Sequence, residues 1–119
     1  MDMEVVLNSK HDIQSKVTDM KNLTNIHPGE ILEKEFLEPL GVTAYKLSKS
    51  IGVQQTRISL IIKGERGITA DTAIRFSKFF GTSAEFWMNL QREYDLRKAR
   101  EEVKEIVAHI IPGSVRNFV

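Results

Sequence analysis

The chain has 119 residues, 41% of them hydrophobic, and a formal net charge of +1, which suits one domain with some additional tail and means that any affinity for nucleic acid must come from a local patch. With no cysteine, a disulfide framework, thiolate metal ligands and a cysteine nucleophile are excluded. No run is long and apolar enough for a membrane span, and the opening MDMEVVLNSKHD lacks the pattern of a secretory signal, so a soluble, cytoplasmic protein is expected.

Residues 1–25 are polar and mixed. Ile13, Val17 and Met20 fall at helical spacing, which reads as a partly disordered arm or a short helix, with Met20 as an alternative start. Order is expected from IHPGEILEKEFLEPLG. Pro28 suits a first helical turn, where its missing N–H costs nothing, and Glu30 follows where the helix dipole favours an acid. Ile31, Leu32 and Phe36 line one face, Pro39 stops the helix, and Leu40-Gly41 makes a turn. Thr43 caps a second helix, AYKLSKSI, with Leu47 and Ile51 facing inward and Gly52 ending it. A third helix lies in GVQQTRISLIIKG, with Ile58, Ile61 and Ile62 inward and Gly64 just past its end. Thr69 caps a fourth, ADTAIRFSKFF, which Gly81 ends. A fifth starts near Ser83 and runs no further than Pro112-Gly113.

The expectation is an all-α protein. A five-helix DNA-binding domain spans residues 26–102, between an N-terminal arm (1–25) and a C-terminal helical extension and tail (103–119).

Helices two and three, joined by a short glycine-containing turn, form a helix-turn-helix. Ser48 is small enough for close approach, Gly52 permits the turn, and Ile58 fills the space between the helices. In this arrangement the start of the second helix meets base edges in the major groove. Gln54, Gln55, Thr56 and Arg57 occupy that first turn, and Ser59 is the next exposed position. Gln suits adenine, Arg suits guanine, and a Thr methyl can touch a thymine methyl. Lys63 and Arg66, past the far end, suit phosphate. The backbone N–H groups near Thr43 and Ala44 offer a second phosphate seat. A polar first turn by itself is more often the solvated side of a surface helix than a binding surface; the helix-turn-helix frame reverses that and favours contact with DNA. Arg57 has an internal alternative, an ion pair with an acid of its own domain.

Elsewhere the signals are bland. His11, His27 and His109 lack metal-ligand spacing, so no metal and no cofactor is expected, and His27 reads as part of a helix cap. Glu30, Glu33, Glu35 and Glu38 read as an exposed face. No nucleophile triad or phosphate loop is present, so an enzyme is not expected. Phe86, Trp87 and Leu90 should pack into the bundle. Tyr94, Leu96, Ala99, Val103, Ile106, Val107 and Ile110 extend an apolar stripe that either folds back or meets a second subunit. Dimerisation is favoured, since operator-binding proteins of this type act as pairs.

The stretches HPGEILEKEFLEPLGVTAYKLSKSIGV and RISLIIKGERGITADTAIRFSKFFGTSAEFWMNLQREYDLRKA resemble the HigA-type antitoxins, also called virulence-associated protein I, of the lambda-repressor-like (XRE) helix-turn-helix group. The likeness covers about His27 to Ala99. Its more specific parts are the HPGE start, the loop from Arg66 to Thr69 and the segment EFWMNLQREYDL. It implies an operon-repressing dimer that binds a palindromic double-stranded operator and neutralises a RelE-like (HigB-type) mRNA endonuclease toxin. By position, Gln54 to Arg57 and Ser59 would read DNA, with Lys63 near the backbone. Residues 1–19 and 103–119 lie outside the shared pattern, and either is a candidate for toxin binding or dimerisation. The alternatives are a solitary or phage-like regulator without a toxin, and an interaction module that no longer binds DNA.

Overall fold

A computed structural model describes residues 25–113. The expectations for the arm up to residue 24 and for the tail from residue 114 lie outside the described residues. Among those described, five helices and no strand are present.

Helix α1 covers residues 28–40 in three parts: α-helical Pro28–Ile31, a π-helical stretch Leu32–Leu37, and α-helical Glu38–Leu40. His27 caps it, its Nδ1 accepting the Gly29 N–H at 2.9 Å. Pro39 does not stop this helix, contrary to the expectation from sequence. It has no N–H for the Glu35 carbonyl, and its ring crowds that carbonyl. The helix is wider just before it, where the Glu38 N–H reaches the Glu33 carbonyl five residues back. The stop is Gly41, at φ 67°. There the Val42 N–H donates to Leu37 O at 2.9 Å and the Gly41 N–H to Glu38 O at 3.1 Å, the paired closure a left-handed glycine permits.

The other boundaries follow the capping chemistry. Helix α2 is Ala44–Ile51, α3 is Gln55–Ile62, α4 is Ala70–Phe80 and α5 is Ala84–Ala108. Thr43, Thr69 and Ser83 each accept an N–H of the first turn they precede.

The core is aromatic. Trp87 of α5 is fully buried and lies 4.9 Å from Phe36 of α1 and 5.1 Å from Phe76 of α4, centroid to centroid. Phe80 sits 5.1 Å from Phe36. The indole N–H donates to Thr82 Oγ1 at 2.7 Å, so the one polar atom of the ring system is satisfied. Helix α3 lies so close to α1 that a Cβ on Gly29 would collide with the Ile61 carbonyl. Only glycine allows that backbone approach.

Phe86, Trp87 and Leu90 pack inward as expected. Beyond them α5 runs on unbroken through residues 102–103, about 37 Å in all at the standard rise. Leu96, Val103, Ile106, Val107 and Ile110 are exposed, so the apolar stripe does not fold back onto the described bundle. No helix among the described residues is long and apolar enough to cross a membrane.

His27 also stands edge-on to Tyr94 of α5 at 4.8 Å. Its pKa is lowered from 6.5, chiefly by burial; Asp95 opposes the shift and Lys98 adds to it. The neutral ring is the one that can accept the Gly29 N–H at Nδ1. A depressed folded-state pKa makes its stabilising contribution complete above 6.5 and lost as pH falls through the folded value. Melting scans on either side of that pH should therefore show acid destabilisation in wild type. The slope should be shallower in His27→Asn, which keeps a cap acceptor but does not titrate. Equal slopes in both proteins would mean that His27 is not the titrating group.

Candidate nucleic-acid interface

The helix-turn-helix forms as its small and apolar residues require. Ser48 is buried, its hydroxyl donating to Tyr45 O at 2.8 Å. This turns the polar group back onto its own helix and leaves a small surface for α3. Leu47, Ile58 and Ile61 are fully buried. Gly52 takes φ 71°, and the N–H groups of Gly52 and Val53 both donate to Ser48 O at 3.0 Å.

These contacts place the first turn of α3 outward. Gln55 and Thr56 are exposed, as is the N-cap residue Gln54, while Arg57 and Ser59 are half-buried. The helix separates them into two rows. Gln55, Ser59 and Lys63 are four residues apart and share one side. Thr56, Arg57 and Leu60 instead line an open groove of about 470 Å³, together with Gln54, Arg66 and Arg75. Arg66 thus stands in space beside the start of α3, although in sequence it lies past the far end. Arg57 has no ion-pair partner among the described residues, so its internal alternative is not realised there.

Helix α3 differs from the others in its start. No side chain caps it, whereas α1, α2, α4 and α5 are all capped by one. The N–H groups of Gln55 and Thr56 have no intrahelical acceptor, as at any helix start. At the start of α2, Thr43 Oγ1 accepts the Lys46 N–H at 3.0 Å. Thr43 and Ala44 line a hollow together with Glu33 and Glu38, whose carboxylates are offset by Lys34 at 3.9 and 3.5 Å.

Charge is segregated although the total is nearly balanced. Between Thr43 and Phe80 seven Lys and Arg residues accompany two acids, while α1 carries four Glu and one Lys. The site is thus locally basic on a chain of net charge +1.

Two supporting residues were not singled out from the sequence. Arg75 of α4 reaches the helix-turn-helix turn: Nη1 donates to Ile51 O at 2.6 Å and more weakly to Gly52 O at 3.4 Å, while Nε donates to Asp71 Oδ1 at 2.7 Å. Gln91 of α5 is buried, accepts the Ile68 N–H at 2.7 Å and donates to Asp95 at 2.9 Å. It pins the loop that carries Arg66, and Gly67 packs against its amide. Arg75 has no pattern in sequence that marks it, and the segment EFWMNLQREYDL that contains Gln91 does not reveal its role, because each acts across more than twenty residues.

The helix-turn-helix family profile matches residues 34–87. Virulence-associated protein I of Dichelobacter nodosus is 47% identical over 89 residues, spanning 75% of this chain and 82% of that protein. The chain belongs to the HigA and virulence-associated protein I family. Antitoxin HigA-1 of Vibrio cholerae is 37% identical over 84 residues, covering 71% of this chain and 79% of that one. Among solved structures, the Pseudomonas aeruginosa antitoxin HigA with the higBA promoter superposes with a TM-score of 0.74 at 40% identity, covering 77% of this chain and all of that one. The lambda-repressor-like fold expected from the resemblance is the fold observed.

The pinned loop is open to a direct test. Gln91→Ala leaves the buried Ile68 N–H without its acceptor, which should cost about 1–3 kcal/mol. Urea unfolding should show a lower midpoint with an unchanged m-value. An unchanged midpoint would show that the loop does not depend on Gln91.

Proposed function

We propose that the protein is a DNA-binding transcriptional repressor and the antitoxin of a type II toxin–antitoxin pair, acting as a dimer on a palindromic operator upstream of its own gene. The observation that carries the DNA half is the start of α3: an uncapped first turn of Gln54, Gln55, Thr56 and Arg57, held outward in the most basic part of the chain. Gln55 and Thr56 are exposed, and their side chains make no hydrogen bond among the described residues, which leaves amide and hydroxyl for base edges. The solved Pseudomonas aeruginosa relative contains its promoter DNA, which supports the same use here.

Base readout is assigned to Gln54, Gln55, Thr56, Arg57 and Ser59, and phosphate contact to Lys63 and Arg66. The amides at Thr43 and Ala44 are the weaker phosphate seat, because Glu33 and Glu38 share their hollow. The exposed apolar row on α5, from Leu96 to Val107, offers a second copy a surface to cover. The antitoxin half rests on the names of the relatives. The partner it implies is a RelE-like toxin of the HigB type.

A mobility shift on the protein's own upstream DNA, against a scrambled duplex of equal length, tests the first half. Selective binding that weakens steeply with salt is expected, as phosphates displace their counterions. Absence of selectivity from a folded protein at low salt would overturn it. Co-purification with the product of the neighbouring gene tests the second half, and failure of that product to bind would leave a solitary regulator.

Two sets of variants test the assignments. Gln55→Ala with Thr56→Ala should relax sequence preference, each lost base contact costing about 1–3 kcal/mol. An intact preference would remove both residues from readout. Lys63→Ala should weaken all duplexes alike and flatten the salt slope by about one; a loss confined to the operator would make Lys63 a base reader instead.

A further inference from the structure

We propose that Arg75 is a positioning residue for operator recognition: from α4, outside the helix-turn-helix, it holds the turn that presents Gln54 to Arg57. The proposal rests on the DNA-binding function above and names a determinant of specificity that touches no base.

The geometry is a three-point fork. Nε is fixed by Asp71 one helical turn earlier at 2.7 Å, and Nη1 reaches Ile51 O at 2.6 Å with a longer contact to Gly52 O at 3.4 Å. Those carbonyls belong to the C-terminal end of α2, where backbone oxygens lack helical partners and the dipole end is negative. A guanidinium satisfies both needs, and its planar fork does so in one orientation. The two residues it grips stand immediately before Val53 and Gln54.

The start of α3 gains from such a restraint because its local bonds are backbone ones alone, from Gly52 and Val53 to Ser48 O and from Arg57 to Gln54 O, with no side-chain cap. Thr43, Thr69 and Ser83 lock the starts of α2, α4 and α5 with side-chain caps, and α3 has no equivalent. A capping side chain there would occupy the donors that face the groove. Arg75, on the wall of the same groove, holds the turn by its carbonyls, which keeps those donors free while limiting their motion. A recognition turn that is already ordered loses less freedom when it binds.

Asp71 has a second consequence. It lines the same groove as Thr56, Arg57 and Arg66, so it places a negative charge beside the DNA-facing surface. That charge opposes any phosphate that approaches. Its presence there is accounted for by its grip on Arg75.

The test compares wild type with Arg75→Lys, Arg75→Ala and Asp71→Asn, using the upstream duplex and the scrambled duplex over a salt series, together with amide hydrogen exchange of the free proteins. Arg75→Lys keeps the charge but loses the fork. It should speed exchange of the Val53 to Arg57 amides and lower the preference for upstream over scrambled DNA by about tenfold, the order expected for a lost charged hydrogen bond, with the salt slope unchanged. Asp71→Asn should tighten binding to the scrambled duplex while lowering the preference.

Three results would overturn the role. Equal weakening on both duplexes with a salt slope smaller by about one would make Arg75 a phosphate contact. A lower melting temperature with preference intact would make it a packing residue only. Unchanged exchange and preference in Arg75→Lys would remove it altogether. Wild type is scored first: if it does not discriminate between the duplexes, the DNA function itself fails, which is distinct from a discriminating wild type matched by its variants.

Discussion

Five aromatic rings from three helices meet at Trp87, and the placement of the remaining elements follows from that packing. Phe36 brings α1, Phe76 and Phe80 bring α4, and Phe86 and Trp87 bring α5, with Trp87 standing 4.9–5.8 Å from each of the other four. Pairs of this kind contribute about 0.5–1.5 kcal/mol each beyond the area they bury. The helix-turn-helix adds only Leu47, Ile58 and Ile61 to the fully buried apolar set. It is therefore a shallow unit laid on a deep one. Helix α3 is set against α1 through Gly29, and α2 is tied to α4 through Arg75.

This division suits what the surface is proposed to do. The residues that meet DNA have to be polar and uncovered, so they cannot hold themselves in place by burial. Their position is inherited from residues that support them: Ile58 and Ile61 under the helix, Arg75 bonded to the turn beside them, and Gln91 under the loop of Arg66. The charge pattern follows the same division. Carboxylates collect on α1 and cations on α2 to α4, so a protein of nearly zero net charge has a locally basic face. A local field, rather than the global balance, is what an approaching phosphate meets.

Helix α5 serves two purposes along its length. Its first turns complete the core through Phe86, Trp87 and Leu90 and pin the loop through Gln91. Past Tyr94 it leaves the bundle with its apolar residues uncovered. Isolated exposed apolar residues are ordinary, but a row of them along one helix marks a surface for contact.

Much of this was legible in the chain itself. Caps and stops are local chemistry: Thr43, Thr69 and Ser83 accept first-turn amides, and Gly41, Gly52, Gly64 and Gly81 take the left-handed turns that close helices. The apolar spacing of Ile58 and Ile61, the small Ser48 and the polar first turn of α3 likewise identified the helix-turn-helix, because each depends on neighbours within a turn or two. The misreading at Pro39 was also local. A proline's missing N–H can widen a helix as well as end it, and packing of Phe36, Leu37 and Leu40 into the core favours continuation. What only the tertiary structure decided are the long-range relations: the return of Arg66 to the start of α3, the reach of Arg75 to Ile51, the seat of Gln91 beneath Ile68, and the projection of α5 away from the bundle. These join residues far apart in the chain, and local periodicity carries no information about which distant groups a folded backbone brings within hydrogen-bonding distance.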